Sequence, residues 1–305
     1  MVNCACCEQQ ERVDCAGSLE IFAAVRSRCP ALHQIFVPDQ IWNDFQQWHR
    51  QPDLVAQHRS ILILAMKRGH LGRVTSAVHR YLMTEGGPRP DISQQYLSDL
   101  REKWMLCQSP EDRHQKSRRF IGRLVELQFA EWLESNGWSD LGLEAFRVGP
   151  DIDANKEGRR VAFEVKFIGR QNTDFAAFLQ SNAGQSAATS VSPYDAKNYL
   201  MFRVYEAAKQ LQRINCDRIA VVVVEDVAWA NFETQVTEGW IEWANPQFSD
   251  RHSERWTKFV QSQKTRYPNL SDDLQPTVRS LNEVWILIMR SDFQYDLVGS
   301  YPLKE

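Results

Sequence analysis

The chain has 305 residues, 43% of them hydrophobic and 25% charged, proportions of an ordinary globular protein rather than a disordered or fibrous one. Its formal net charge of −3 gives no bulk attraction to polyanions. That excludes a non-specific nucleic-acid coat, though not an enzyme whose cations gather at one cleft.

The length suffices for one large domain or two medium ones. No run approaches the roughly eighteen apolar residues of a membrane span, and Met1 to Ser18 lacks the basic-then-apolar order of a secretory signal. A cytoplasmic protein without a membrane partner is expected. Seven cysteines do not form a secreted disulfide pattern. Cys4 and Cys7, with Cys6 between them, have a spacing zinc would accept, but Cys15 stands alone where a second pair would be needed. Free thiols on a frayed terminus are expected there.

Residues 18 to 108 read as helical. Ser18, Asp39 and Asp53 each stand where an N-cap is wanted. Ile61 to Met83 carries apolar residues at three- and four-residue spacing, and the breakers from Glu85 to Pro90 suggest a linker. A further helix is expected from about Ile92 to Leu106. Ser109, Pro110, Glu111 and Asp112 then make a good helix start, and Asn136 and Gly137 a natural stop.

Beyond Gly137 the period changes. Glu144 to Val148, Ile152 and Val161 to Phe167 look like short strands. Residues 169 to 193 read as a polar loop with a helical turn at Phe175 to Leu179, and Asp195 to Ile214 as a helix. Ile219 to Val224 and Val284 to Met289 are β-branched or apolar runs, the pattern of strands covered on both faces. A short strand is expected around Tyr295 to Val298. This order predicts an α/β fold with a mixed sheet flanked by helices, preceded by an all-helical N-terminal domain. The expected domains are 1–108 and 109–305.

The chemistry concentrates in one strand. Alternation sends Val161, Phe163, Val165 and Phe167 to one face and Ala162, Glu164 and Lys166 to the other. Just upstream lie Pro150, Asp151 and Asp153, and Gly158 sits in a polar segment suited to a hairpin turn. Pairing across that hairpin can set Asp151 beside Glu164. Two carboxylates so close repel unless a cation bridges them, and oxygen donors favour Mg²⁺ or Mn²⁺. Lys166 adds a positive charge able to help deprotonate a water coordinated there, or to stabilise a pentavalent phosphorus transition state. Asp153 alternates onto the same face as Asp151 and can also reach an ion.

Pro150 and Asp151, followed after a short hairpin by Glu164, Val165 and Lys166, resemble the PD-(D/E)xK superfamily of restriction-endonuclease-like nucleases. The helix Arg123 to Leu133, with Glu126, resembles the helix that precedes the sheet in that family. The likeness covers residues 110 to 230. It implies a restriction-endonuclease-like sheet and a metal site of Asp151, Glu164 and the main-chain carbonyl of Val165, completed by Glu126. It also implies phosphodiester hydrolysis, in DNA rather than RNA. Glu131, about 140° around the helix from Glu126, is the alternative there; helix geometry leaves both open, and the family spacing favours Glu126.

A lone acid-x-lysine is common, and Asp195, Ala196 and Lys197 repeat it at a helix start without a flanking strand. The bland reading of Glu164 and Lys166 is the solvated face of an edge strand. Cations from Arg113 to Arg119, with Arg123, can grip phosphates, and Gln185 can touch substrate, whereas Arg159 and Arg160 on the hairpin are expected to be merely exposed. Trp229, Trp240, Trp243 and Trp256 fit a core or a subunit contact better than base stacking. The expected function is a Mg²⁺-dependent nuclease with a recognition or regulatory N-terminal domain, possible as a homodimer. The alternative is a catalytically inactive copy of the fold that binds nucleic acid or protein.

Overall fold

The computed structural model describes residues 71–84, 87–101, 110–143, 149–169, 193–226, 263–290 and 294–303, with a few isolated positions besides. The chain divides into two compact units, Met1–Ser135 with Glu144–Arg147, and Asn136–Leu143 with Val148–Glu305.

In the first unit, helix α1 (Leu71–Leu82) leads into a two-stranded ladder of β1 (Met83–Thr84) and β2 (Gly87–Pro88). The breaker cluster expected to be a linker is therefore partly paired, with Gly87 opposite Thr84 and Pro88 opposite Met83. Helix α2 (Gln94–Leu100) starts at Ser93, whose hydroxyl accepts from the Tyr96 N–H, and stops at Arg101, where the backbone turns extended. It ends six residues before the expected Leu106. Helix α3 (Pro110–Ser135) runs 26 residues, opening on a proline suited to a first helical position. Gly137 follows its end at φ +83°, the left-handed conformation that stops a helix and that glycine adopts without a Cβ clash. Both α1 and α2 pack against α3, and by its contacts α3 counts with this unit. The expected helices before residue 71, the cysteines from Cys4 to Cys15 and the four tryptophans from Trp229 to Trp256 lie outside the described residues.

The second unit is built on a six-stranded mixed sheet. Its strands are β3 (Ser139–Leu143), β4 (Ile152–Lys156), β5 (Arg159–Ile168), β6 (Asp217–Glu225), β7 (Glu283–Met289) and β8 (Tyr295–Pro302), adjacent in that order. The β5–β6 and β6–β7 pairs are parallel and the other three antiparallel. The first strand is the polar Ser139–Leu143 rather than Glu144–Val148, which lies outside the described residues. As an edge strand it needs only one apolar side, and only Leu143 and Gly142 are buried.

Between β5 and β6 the chain crosses over through helix α4 (Pro193–Leu211), the connection two parallel strands require. A helix α5 (Leu270–Val278), with Pro276 inside it, has no counterpart in the sequence reading. Helices α4 and α5 cover one face of the sheet. Ala162 and Ile168 of β5, Ala220, Val222 and Val224 of β6, and Val284 and Ile286 of β7 pack there with Leu200, Val204, Leu211, Leu270 and Leu274. On the opposite face Phe163, Trp285 and Trp138 form an aromatic cluster with ring centroids 5.0 to 5.9 Å apart. Val221 to Val224 are therefore buried on both faces, as the unbroken valine run requires.

Candidate metal-binding and catalytic site

A two-residue turn sets the register. Glu157 and Gly158 both have positive φ, +53° and +79°, the pattern of a type I′ hairpin whose twist matches the flanking strands. Lys156 therefore faces Arg159, and the ladder continues to Ile152 opposite Phe163. One step further, past the end of β4, Asp151 comes opposite Glu164. The N–H of Val165 has run out of ladder there, and the Asp151 carboxylate accepts it at 2.8 Å. In a strand, one residue's N–H and C=O point to the same edge, so the Val165 carbonyl also faces the Asp151 side.

Glu164 is buried among these groups, 2% exposed. Burial, and next the negative charge of Asp151, push its carboxyl up to about 8; Lys166 pulls the other way. Asp151 stands close enough to Glu164 for its charge to act on it directly. Lys166 donates to Glu164 at 2.7 Å and also to the side-chain carbonyl of Gln210 on α4. Burial alone would lower the lysine, but the charges of Glu164 and Asp151 outweigh it and hold the ammonium above the ordinary lysine range. It stays charged.

The strand that carries Glu164 and Lys166 is interior, with β4 on one side and β6 on the other. A solvated face of an edge strand does not describe them. Asp153 is set apart from Asp151 by a partner: Arg160 donates to one of its oxygens at 2.7 and 3.1 Å. Arg159 likewise meets Asp217 at 2.6 and 3.0 Å. Both hairpin arginines are exposed, as expected from the sequence, but each is paired.

The remaining expected site residues lie on other elements or outside the described residues. Glu126 lies on α3 in the first unit, buried, with Arg123 donating to both its oxygens at 3.0 and 3.1 Å. Arg123, expected to meet phosphate, also pairs with Asp99 at 3.3 Å and lies over the Tyr96 ring. Glu131 is half-buried and Arg119 exposed on the same helix. Gln185 and the side chains of Arg113 to Arg118 lie outside the described residues. Lys197 falls within α4, clear of any strand.

Gln210 was not among the expected site residues. It stands 44 residues from Lys166 in sequence, and only the crossover brings them together. Behind it, Tyr199, Arg203 and Glu206 share its side of α4 by their spacing of four, three and four. Arg203 donates to the Tyr199 hydroxyl and to Glu206, and Glu206 also accepts from Tyr267 and meets Arg266.

The donor set fits a hard divalent cation. Among the described residues no group of three or more His, Cys, Asp or Glu converges. Mg²⁺ needs only one or two carboxylates, since it keeps several waters. Asp151 and Glu164, both buried, and the Val165 carbonyl on the same edge are oxygen donors of that kind.

Comparison with family models, with curated proteins and with solved structures finds no match to this chain. Among the described residues no helix is long and apolar enough to cross a membrane.

Proposed function

We propose that this chain is a metal-dependent nuclease with a restriction-endonuclease-like fold, hydrolysing phosphodiester bonds in DNA. The observation that carries this reading is the meeting of Asp151, Glu164 and Lys166 at one end of the β4–β5 hairpin. Two buried carboxylates and an ammonium are more charge than packing needs, and burying charge is costly unless function retains it.

In this reading Asp151, Glu164 and the Val165 carbonyl would hold Mg²⁺ or Mn²⁺; Glu126, which the family resemblance adds to them, belongs to the other unit. Bound there, the cation would supply a Lewis acid that polarises a phosphate oxygen and acidifies water. Asp151 is fixed for its part by the Val165 N–H, which leaves its second oxygen for the ion. With an ion bound, Glu164 would be held as the carboxylate, its proton released to solvent. Lys166 places its ammonium beside the charge that grows on phosphorus in the transition state, where a preorganised donor is worth most.

DNA rather than RNA follows from the family resemblance. Arg119, Arg123 and Gln185 as substrate contacts, a helical N-terminal domain for recognition or control, a possible homodimer and a cytoplasmic location complete the proposal. Linear and supercoiled DNA incubated with Mg²⁺ or Mn²⁺ tests it. Cleavage should require the ion and fall by about 10²- to 10³-fold in both Asp151→Ala and Lys166→Ala, with unchanged circular dichroism. Equal cleavage by wild type and both variants would contradict it. Absence of cleavage in the wild type would favour an inactive, binding-only fold.

A further inference from the structure

We infer that Gln210 is a positioning residue for Lys166, and that it supplies the acceptor that keeps the ammonium in place when Glu164 is taken by a cation. The inference rests on the metal-dependent reading of the site.

Lys166 has two hydrogen-bond acceptors among the described residues, Glu164 and Gln210. They differ in kind. Glu164 is a carboxylate, shared with Asp151 and required by a metal; Gln210 is a neutral amide on a different element. A carboxylate that turns its electron pairs to a dication weakens its bond to a neighbouring ammonium, and the dication repels that ammonium as well. Left with Glu164 alone, Lys166 would either compete with the ion for it or swing away. The Gln210 carbonyl offers a resting point that the ion does not claim.

Its placement is held from behind. Tyr199, Arg203, Glu206 and Gln210 lie along one side of α4, and the first three are buried and mutually bonded. Glu206 is tied further to Tyr267 and Arg266, and its charge adds to the attraction on Lys166. Gln210 itself is exposed, so truncating it leaves no buried hole. A polar row that ends on the lysine is not what packing α4 against a valine-rich sheet would select.

The test uses Gln210→Met, which keeps length without the acceptor, and Gln210→Glu, which restores one. Mn²⁺ titration by calorimetry and steady-state DNA cleavage are measured on both and on the wild type. In Gln210→Met, Lys166 leans wholly on Glu164, so Mn²⁺ should bind several-fold more weakly. The value of kcat should fall by about three- to tenfold with KM unchanged, the worth of one partly solvated bond to a charged group. Thermal unfolding should match the wild type, and Gln210→Glu should recover most of both losses. Wild-type affinity and kcat in Gln210→Met would overturn the inference and leave the nuclease reading standing. So would equal losses in Gln210→Met and Gln210→Glu, which would mark a packing role. A wild type that neither binds Mn²⁺ nor cleaves DNA would overturn both.

Discussion

Two clusters of buried carboxylates, one in each unit, solve the same electrostatic problem in different ways. In the first unit Asp99 and Glu126 share Arg123, whose fork donates to both and whose plane lies over Tyr96. In the second, Lys166 faces Asp151 and Glu164, but among the described residues it donates to Glu164 and Gln210. Five guanidinium donors can serve two carboxylates at once; the Lys166 ammonium instead donates to one carboxylate and one amide. Each cluster sets two carboxylates against one cation, but only in the first does the cation bond both. In the second, burial and then the charge of Asp151 push Glu164 up to about 8. A cluster that answers crowding by binding protons is one that a divalent cation can occupy instead.

The comparison breaks most visibly at Arg123. Replacing it with leucine leaves Asp99 and Glu126 buried without their shared cation, and should cost about 3 kcal/mol of stability, read from the urea midpoint at neutral pH. A loss under about 0.5 kcal/mol would show those carboxylates to be solvated and the two clusters alike.

A smaller effect sharpens the second cluster. The folded-state value of Glu164 lies above its ordinary 4.5, so between that pH and about 8 the folded protein binds a proton the unfolded chain releases. Raising pH through this window therefore removes stability. Without metal, Glu164→Gln should flatten that slope and stand above the wild type at pH 8 by about 2 kcal/mol, once water entry around the charged form is allowed for. Parallel pH profiles for the two proteins would mean that the pair holds no extra proton.

How far the sequence carried this picture depends on the distance over which each contact acts. Glu164 and Lys166 were legible from strand alternation alone, and Asp151 beside Glu164 from the hairpin around Gly158, because a two-residue turn leaves one register open. The pairing that distinguishes Asp153 from Asp151 needed the side chain of Arg160, a diagonal neighbour whose reach no spacing rule gives. Arg123 and Glu126 stand three apart on a helix, a pairing the spacing allows, but Asp99 enters from another element. Gln210 was invisible for the same reason. The strand Ser139–Leu143 and the helix Leu270–Val278 escaped because an edge strand needs little apolar pattern, and because Pro276 reads as a breaker where the fold accommodates it.

The proposed function makes the Asp151–Glu164–Lys166 cluster a metal seat, with Glu164 protonated in the ion's absence. Mn²⁺ titration by calorimetry near pH 7, in two buffers of different ionisation enthalpy, tests it most directly. The account predicts binding that releases a proton, so that the measured heat changes with the buffer, and that is lost in Asp151→Ala. Absence of binding, or binding with the same heat in both buffers and unchanged in Asp151→Ala, would contradict it.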